Sequence, residues 1–272
     1  MTPTGRKLIT GFSNTTVKHL RSLREKKHRK AARQFLAEGL RLLTDARASG
    51  HVPQVLVMAT GRDPHPLLDA LERDVLAAGG EVIETPPDIL AKITGKANPQ
   101  AVAGVFAEFD TSLATLDRAA APIWLVAQAL RDPGNLGTML RTGDAVGAGG
   151  LILIDDCADP FSVEAVRASM GAVFTQAIAQ ARWEEFLPWL HGGAGQLVAA
   201  SLRDAVPYRA APYAAPCFVL VGNESQGLPE AYEAACDLRV TMPMKGRADS
   251  LNAAVAGAVL AYEVLARLDR PG

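Results

Sequence analysis

Apolar runs of four or five residues, set between helical stretches, constrain the second half of this 272-residue chain more than any other feature. Ile123-Trp124-Leu125-Val126 reads as a buried strand and Leu151-Ile152-Leu153-Ile154 as another strand, with further strands over residues 196–200, 217–221 and 238–241. Each run is too short for a helix, and most are rich in β-branched or aromatic side chains. Helical patterns fall between them, over residues 136–146 and, as a long alanine-rich helix, over residues 250–268. Apolar strands interleaved with helices predict a mostly parallel sheet with helices on both faces. The fold class is α/β.

The first half interleaves the same two element types. Leu36, Leu40 and Leu43 share one helical face, with Gly50 as its stop, and Val55-Leu56-Val57-Met58 is a buried strand. Residues 66–78 read as a helix ended by Gly79-Gly80, 81–84 as a strand, 88–94 as a helix and 101–109 as a strand. Residues 111–121 are polar, then alanine-rich, and lack periodicity, which predicts a linker. The expected organisation is a first domain over residues 1–110, with a mobile start, and a second over residues 122–272.

Composition narrows the class of protein. With 49% hydrophobic and 21% charged residues the chain can bury a core. No apolar run approaches the roughly 18–20 residues of a membrane span, and no apolar signal-peptide core follows the basic start. Cys157, Cys217 and Cys236 are too few and too scattered for a disulfide framework or zinc knuckle, and the five histidines show no ligand spacing. A cytoplasmic protein without a metal is the expectation.

The net charge of −1 conceals an asymmetry. Residues 1–50 hold twelve Lys and Arg against three Asp and Glu, whereas the rest of the chain is acidic. The density peaks in a segment containing Arg24, Lys26, Lys27, Arg29, Lys30 and Arg33. Such a cluster favours a phosphate backbone, because neutralising each phosphate releases counterions. Charge alone leaves a solvated basic face equally open. Aromatic residues are only 6% of the chain, so a stacking platform for single-stranded bases is not evident.

Three segments of the second half are unlike generic structure. Asp132-Pro133-Gly134-Asn135-Leu136-Gly137 follows a strand, places Asn135 to cap the next helix, and puts Arg141 within that helix's second turn. Taken alone, an Arg on a helix that must pack on a sheet is more often a solvated or salt-bridged side chain. In an otherwise acidic half of the chain, a buried catalytic or phosphate-binding role is the sharper expectation for Arg141. Gly222-Asn223-Glu224-Ser225-Gln226-Gly227 ends another strand, where two glycines let the backbone approach a ligand. The third runs from Met242 to Asn252, with Asp249 or Ser250 expected to cap the terminal helix. By contrast, Gly147-Ala148-Gly149-Gly150 closes a helix and precedes a strand, the reverse of a dinucleotide fingerprint.

In this order and spacing the three segments resemble the motifs of the SpoU/TrmH family of the SPOUT superfamily, the RNA ribose 2′-O-methyltransferases. Asn135-x-Gly137 with Arg141, Ala168-Ser169-Met170-Gly171-Ala172, Gly222-Asn223-Glu224, and Pro243-Met244 leading to Ser250-Leu251-Asn252 carry the likeness over about residues 123–268. Phe35-Leu36-Ala37-Glu38-Gly39 and Pro99-Gln100 make the first half similar to that family's L30e/L7Ae-like substrate-binding domain. Ser225 stands where the family often has Gly, and Asp249 where Glu or Ser is commoner.

The resemblance implies a C-terminal trefoil knot, an obligate homodimer and S-adenosylmethionine as cofactor. It implies that Gly222, Met242 and Leu251 hold the cofactor's adenosine, with Gly227 allowing the bend. It places Arg141 at the ribose hydroxyl, as base or as electrostatic stabiliser, within a polar shell of Asn135, Glu224, Ser250 and Asn252. The implied substrate is structured RNA, 23S ribosomal RNA ahead of tRNA; a non-catalytic RNA-binding assembly protein of the same fold is the competing class.

Overall fold

Strand-forming runs sort into two sheets, each with its own core. A computed structural model of the chain describes residues 6–269, which divide into two compact units. The first comprises residues 6–109 together with Phe161–Thr175, and the second Asp110–Pro160 with residues 176–269.

In the first unit, β1 (Arg6–Leu8), α1 (Thr15–Ser22), α2 (Lys26–Ala32), β2 (Gln34–Glu38) and α3 (Leu40–Ala48) precede β3 (Val55–Ala59), α4 (Pro66–Ala77), β4 (Glu81–Thr85), α5 (Pro87–Thr94) and β5 (Val102–Ala107). The sheet order is β1-β4-β3-β5-β2. β1, β4 and β3 run parallel, while β5 pairs antiparallel with both β3 and β2. Asn14 caps α1 by accepting from the Thr16 amide at 2.8 Å, which turns one face of that helix, Val17 and Leu20, into the core. Neither α1, α2 nor β2 is evident from periodicity. The basic residues of α1 and α2 dilute the apolar spacing to two or three positions.

The second unit opens with β6 (Ile123–Gln128), α6 (Pro133–Val146) and β7 (Gly150–Ile154). After α7 (Val163–Ala168), which belongs to the first unit, come β8 (Ala177–Ala181), α8 (Trp183–His191), β9 (Gln196–Ala200), β10 (Val206–Pro207), β11 (Cys217–Val221), α9 (Glu230–Ala234), β12 (Leu238–Thr241) and α10 (Ala253–Leu268). All pairings of this seven-stranded sheet, in the order β10-β12-β9-β11-β6-β7-β8, are parallel. That agrees with the α/β expectation. β6 and β11 are fully buried and paired at the centre, where the strand order reverses. Ligands of open parallel sheets sit outside the carboxyl ends of the strands at such a reversal.

The contact division departs from the sequence-drawn one in two places. Residues 161–175 fall inside the stretch read as the second domain, yet they pack with the first unit. Phe161 and Phe174 join Phe35, Phe106 and Phe109 in an aromatic cluster with centroids 4.7–6.0 Å apart, and His51 lies 4.9 Å from Phe109. Five of the chain's eight phenylalanines meet there, which explains why the segment adheres. Residues 111–121 are also not free. Leu113 and Leu116 pack on the second unit's core, and Arg118 donates to the Leu190 carbonyl at 2.8 Å while lying over the Trp189 ring. β1 occupies part of the stretch expected to be mobile, and residues 1–5 lie outside those described.

Candidate active site

Loops from the carboxyl ends of β6, β11 and β12 supply the groups that the motifs single out. After β6, the Asp132 carboxylate caps α6 by accepting from the Asn135 amide at 2.7 Å. Asp132, not Asn135, is therefore the capping residue. The Asn135 side chain is thereby left free to bridge two other loops. Its Nδ2 donates to Glu224 Oε1 at 3.0 Å, and its Oδ1 accepts from Asn252 Nδ2 at 2.9 Å.

Asn252 is bound at both ends. Its Oδ1 accepts from the amides of Ala254 and Val255 at 3.0 and 3.2 Å, so Asn252 caps α10, rather than Asp249 or Ser250. Ser250 Oγ instead donates to Asp249 Oδ1 at 3.2 Å, on an exposed loop. Three residues separated by 89 and 117 positions in sequence, Glu224, Asn135 and Asn252, thus form one hydrogen-bonded chain.

The loop after β11 is shaped by its own backbone. Asn223 Nδ2 donates to the Ala129 carbonyl at 2.8 Å, and its Oδ1 accepts from the Ser225 and Gln226 amides at 2.9 and 3.1 Å. The Gly227 amide returns to the Asn223 carbonyl at 2.9 Å, with Gly227 at φ +68°. A Cβ on Gly222 would lie 2.5–2.8 Å from the backbone of Gly227 and Leu228. Gly222 is thus required by this fold-back of the chain.

Beside this loop lies a cavity of about 350 Å³, within the size range of small-molecule sites. Gly222, Glu224, Gly227, Met242, Ser250 and Leu251 all line it. Arg141 does not. It is exposed on α6, without a hydrogen-bond or ion-pair partner among the described residues, which corrects the expectation that it is buried within the chain. The buried face of α6 is made instead by Leu136, Gly137, Met139, Leu140, Gly143 and Val146. The small residues of α10 match it: a Cβ on Gly257 would lie only 3.4 Å from Met139 Cε.

The cavity has a side that the motifs do not announce. Ser201, Leu202 and Arg203 follow β9, and buried Glu233 on α9 accepts from Ser201 Oγ at 2.7 Å and from Arg203 Nη1 at 3.3 Å. Their position at a strand's carboxyl end is the only signal that the sequence offers for them.

Burial pushes the thiols of Cys157, Cys217 and Cys236 up to about 11, 12 and 12, so none is a ready thiolate near neutral pH. Of the basic segment in the first unit, Arg24, Lys26, Lys27, Lys30 and Arg33 are exposed. Arg29 is not: it is 2% exposed and its Nη1 donates to the Leu23 and Arg24 carbonyls at 2.9 and 2.7 Å. Its guanidinium ties the α1–α2 turn together, which removes it from the RNA-facing set.

Residues 122–262 match the SpoU rRNA methylase family, and residues 14–104 match the MRM3-like substrate binding domain. The chain belongs to the SpoU rRNA methylase family. Among its relatives is the 23S rRNA (guanosine(2553)-2′-O)-methyltransferase RlmP of Bacillus subtilis, 31% identical over 95% of this chain and 99% of the relative. The crystal structure of an AdoMet-bound rRNA methyltransferase from Sinorhizobium meliloti superposes with a TM-score of 0.90 at 38% identity, covering 97% of this chain and 98% of that one. The SpoU methyltransferase AviRb from Streptomyces viridochromogenes, in complex with AdoMet, gives 0.84 at 28% identity over 95% and 100%.

Proposed function

We propose that this SpoU family member transfers a methyl group from S-adenosylmethionine to a ribose 2′-hydroxyl of 23S ribosomal RNA. The Glu224–Asn135–Asn252 chain beside the cavity carries the reading, because it joins three separated motifs at the strand ends where parallel sheets place ligands. Its lining fits the cofactor. Leu202, Met242 and Leu251 offer apolar contact for a base, and the exposed Gly222–Gly227 loop offers backbone groups. Gly222, Met242 and Leu251 would hold the adenosine, with Gly227 making the bend.

When bound, S-adenosylmethionine supplies an electrophilic methyl group on a sulfonium. The chain's own residues must align the ribose and stabilise the alkoxide as the hydroxyl proton leaves. Arg141 is assigned to that oxygen. A guanidinium with a pKa above about 12 is a poor base but a good partner for developing negative charge or a neighbouring phosphate. Glu224, Asn135, Asn252 and Ser250 form the polar shell, the first three held in place by one another. The relatives named for 23S rRNA favour that substrate over tRNA.

Exposed Arg141 is completed, in this reading, by a second copy of the chain. Val255 and Tyr262 are 47% and 53% exposed at helical spacing along α10, which packs on α6, and Leu251, just before the helix, is 40% exposed. An apolar stripe next to the site suits a homodimer with Arg141 acting across the interface. From β12, beyond β9, the chain returns so that α10 packs on β6, β11 and α6, the kind of return that a C-terminal knot requires. No helix among the described residues is long and apolar enough to cross a membrane, and ribosomal RNA as substrate points to the cytoplasm.

Cofactor binding is the test. At a ligand concentration of 100 times Kd, S-adenosylmethionine should add about 2.7 kcal/mol to stability. Absence of any heat of binding by calorimetry and of any thermal shift would remove the methyltransferase reading and leave an RNA-binding protein of the same fold.

A further inference from the structure

Within the first unit, cations divide into those that are paired and those that are not. Arg6, Arg47, Arg62 and Lys96 are paired with Glu72, Asp74, Glu84 and Glu38. Lys18 and Arg21 of α1, Arg24 of the α1–α2 turn and Arg167 of α7 have no hydrogen-bond or ion-pair partner for their side chains among the described residues. All four border one cavity of about 500 Å³. Its carboxylates are Glu25, which faces His28 at 3.6 Å, and Glu164, so positive charge is in excess.

Two features fix how the cavity is built. Gly95 ends α5 at φ +76°, and a Cβ there would lie 2.3–2.6 Å from the Arg24 guanidinium, so Arg24 rests on the helix end because Gly95 has no side chain. Thr94, which also lines the cavity, is 5% exposed, and its Oγ1 is buried without a hydrogen-bond partner. A buried hydroxyl without a partner is a cost that the unliganded fold carries. Unpaired guanidinium groups converging on a polar cavity suit a phosphate, which they bind by paired N–H donors. No Phe, Tyr or Trp lines the cavity, so it does not suit a stacked base.

We propose that this cavity is a phosphate subsite for the RNA backbone, built by Lys18, Arg21, Arg24 and Arg167. It rests on the RNA-methylation reading and deepens it. The electrostatic anchor then differs from the sequence cluster: Lys26, Lys27, Lys30 and Arg33 lie outside the lining, and Arg167 comes from a segment 134 residues beyond Arg33.

Binding of the full-length protein to a 23S rRNA transcript, measured over a series of salt concentrations, tests the subsite. Arg21 and Arg167 are exposed, so Arg21→Ala with Arg167→Ala should fold, which far-UV circular dichroism checks. This pair should lower affinity and reduce the slope of log K against log salt by about 1.5 units, as expected for two lost phosphate contacts. S-adenosylmethionine affinity should be unchanged. Lys26→Ala with Lys27→Ala should change the slope by less than half as much. A wild-type slope in a folded Arg21/Arg167 variant, or a larger loss in the Lys26/Lys27 variant, overturns the subsite while leaving the methyltransferase reading intact. A wild-type protein that binds neither the transcript nor S-adenosylmethionine overturns both.

Discussion

Around the cavity of the second unit, polar side chains are bonded to one another before a ligand arrives; around the basic cavity of the first unit four cations are not. Glu224, Asn135 and Asn252 form a chain whose far end is fixed as the cap of α10. Lys18, Arg21, Arg24 and Arg167 face a cavity without partners of their own. The contrast follows from the roles proposed for the two regions. Group transfer needs donors and acceptors held in position, because reorganisation during reaction raises the barrier. Holding a polyanion needs net charge, and flexible cations serve that purpose.

Arg141, in the second unit, is exposed and unpaired like the unpaired cations of the first, and gives the largest expected effect. Arg141→Ala should lower methyl transfer by about 10²–10³-fold, the scale of a lost oxyanion donor. The melting temperature and S-adenosylmethionine affinity should hold. Arg141→Lys sharpens the role: substantial activity points to charge stabilisation, and near-complete loss points to the planar fork or a deprotonated guanidine. Wild-type transfer by the Ala variant would return Arg141 to the class of solvated surface cations.

Gly222→Val attacks the prearranged loop itself. A Cβ there meets the backbone of Gly227 and Leu228, so the change should cost about 1–3 kcal/mol in stability and abolish cofactor binding together with it. Unaltered binding in this variant would show that the loop is not where the cofactor sits. Asn252→Ala removes a helix cap and a link to Asn135 at once. It should cost about 0.5–2 kcal/mol by denaturant titration, against within about 0.5 kcal/mol for exposed Lys26→Ala in the first unit. Equal effects would erase the distinction between the regions.

A milder test uses pH. All three thiols and all three tryptophans lie in the second unit. The thiols of Cys157, Cys217 and Cys236 are raised from an ordinary value of 9.0 to about 11, 12 and 12 by burial, so the folded state binds more protons than the unfolded state between about pH 9 and 11. Stability from this source is present below pH 9 and is lost as pH rises through that window. Tryptophan fluorescence should therefore report easier denaturation of the second unit at pH 10.5 than at pH 8.5. A flat response would contradict the buried, protonated thiols.

How much of each region is legible in the sequence differs for one physical reason. Strands buried on both faces declare themselves as apolar runs, so 217–221 appears at the observed bounds of β11. β8 has polar Gln180 among small residues, and gives no such signal. The motifs locate Asn135, Glu224 and Asn252, but not the bonds between them. Which carboxamide caps a helix and which bridges loops depends on contacts 89 and 117 residues apart. Phe161 and Phe174 are invisible as partners of Phe35 because aromatic packing has no sequence period. Arg29 reads as one more surface cation until the turn carbonyls that it binds are seen.

Ribose methylation by the prearranged site is tested most directly by mapping its product. Total RNA from cells lacking the gene, incubated with the purified protein and S-adenosylmethionine carrying a deuterated methyl group, can be separated into its species and digested to nucleosides and oligonucleotides for mass spectrometry. The expected result is one new labelled 2′-O-methylribose in 23S rRNA, absent when Arg141→Ala replaces the wild type. Label on a base, label on tRNA alone, or no label with a cofactor-binding protein would contradict it.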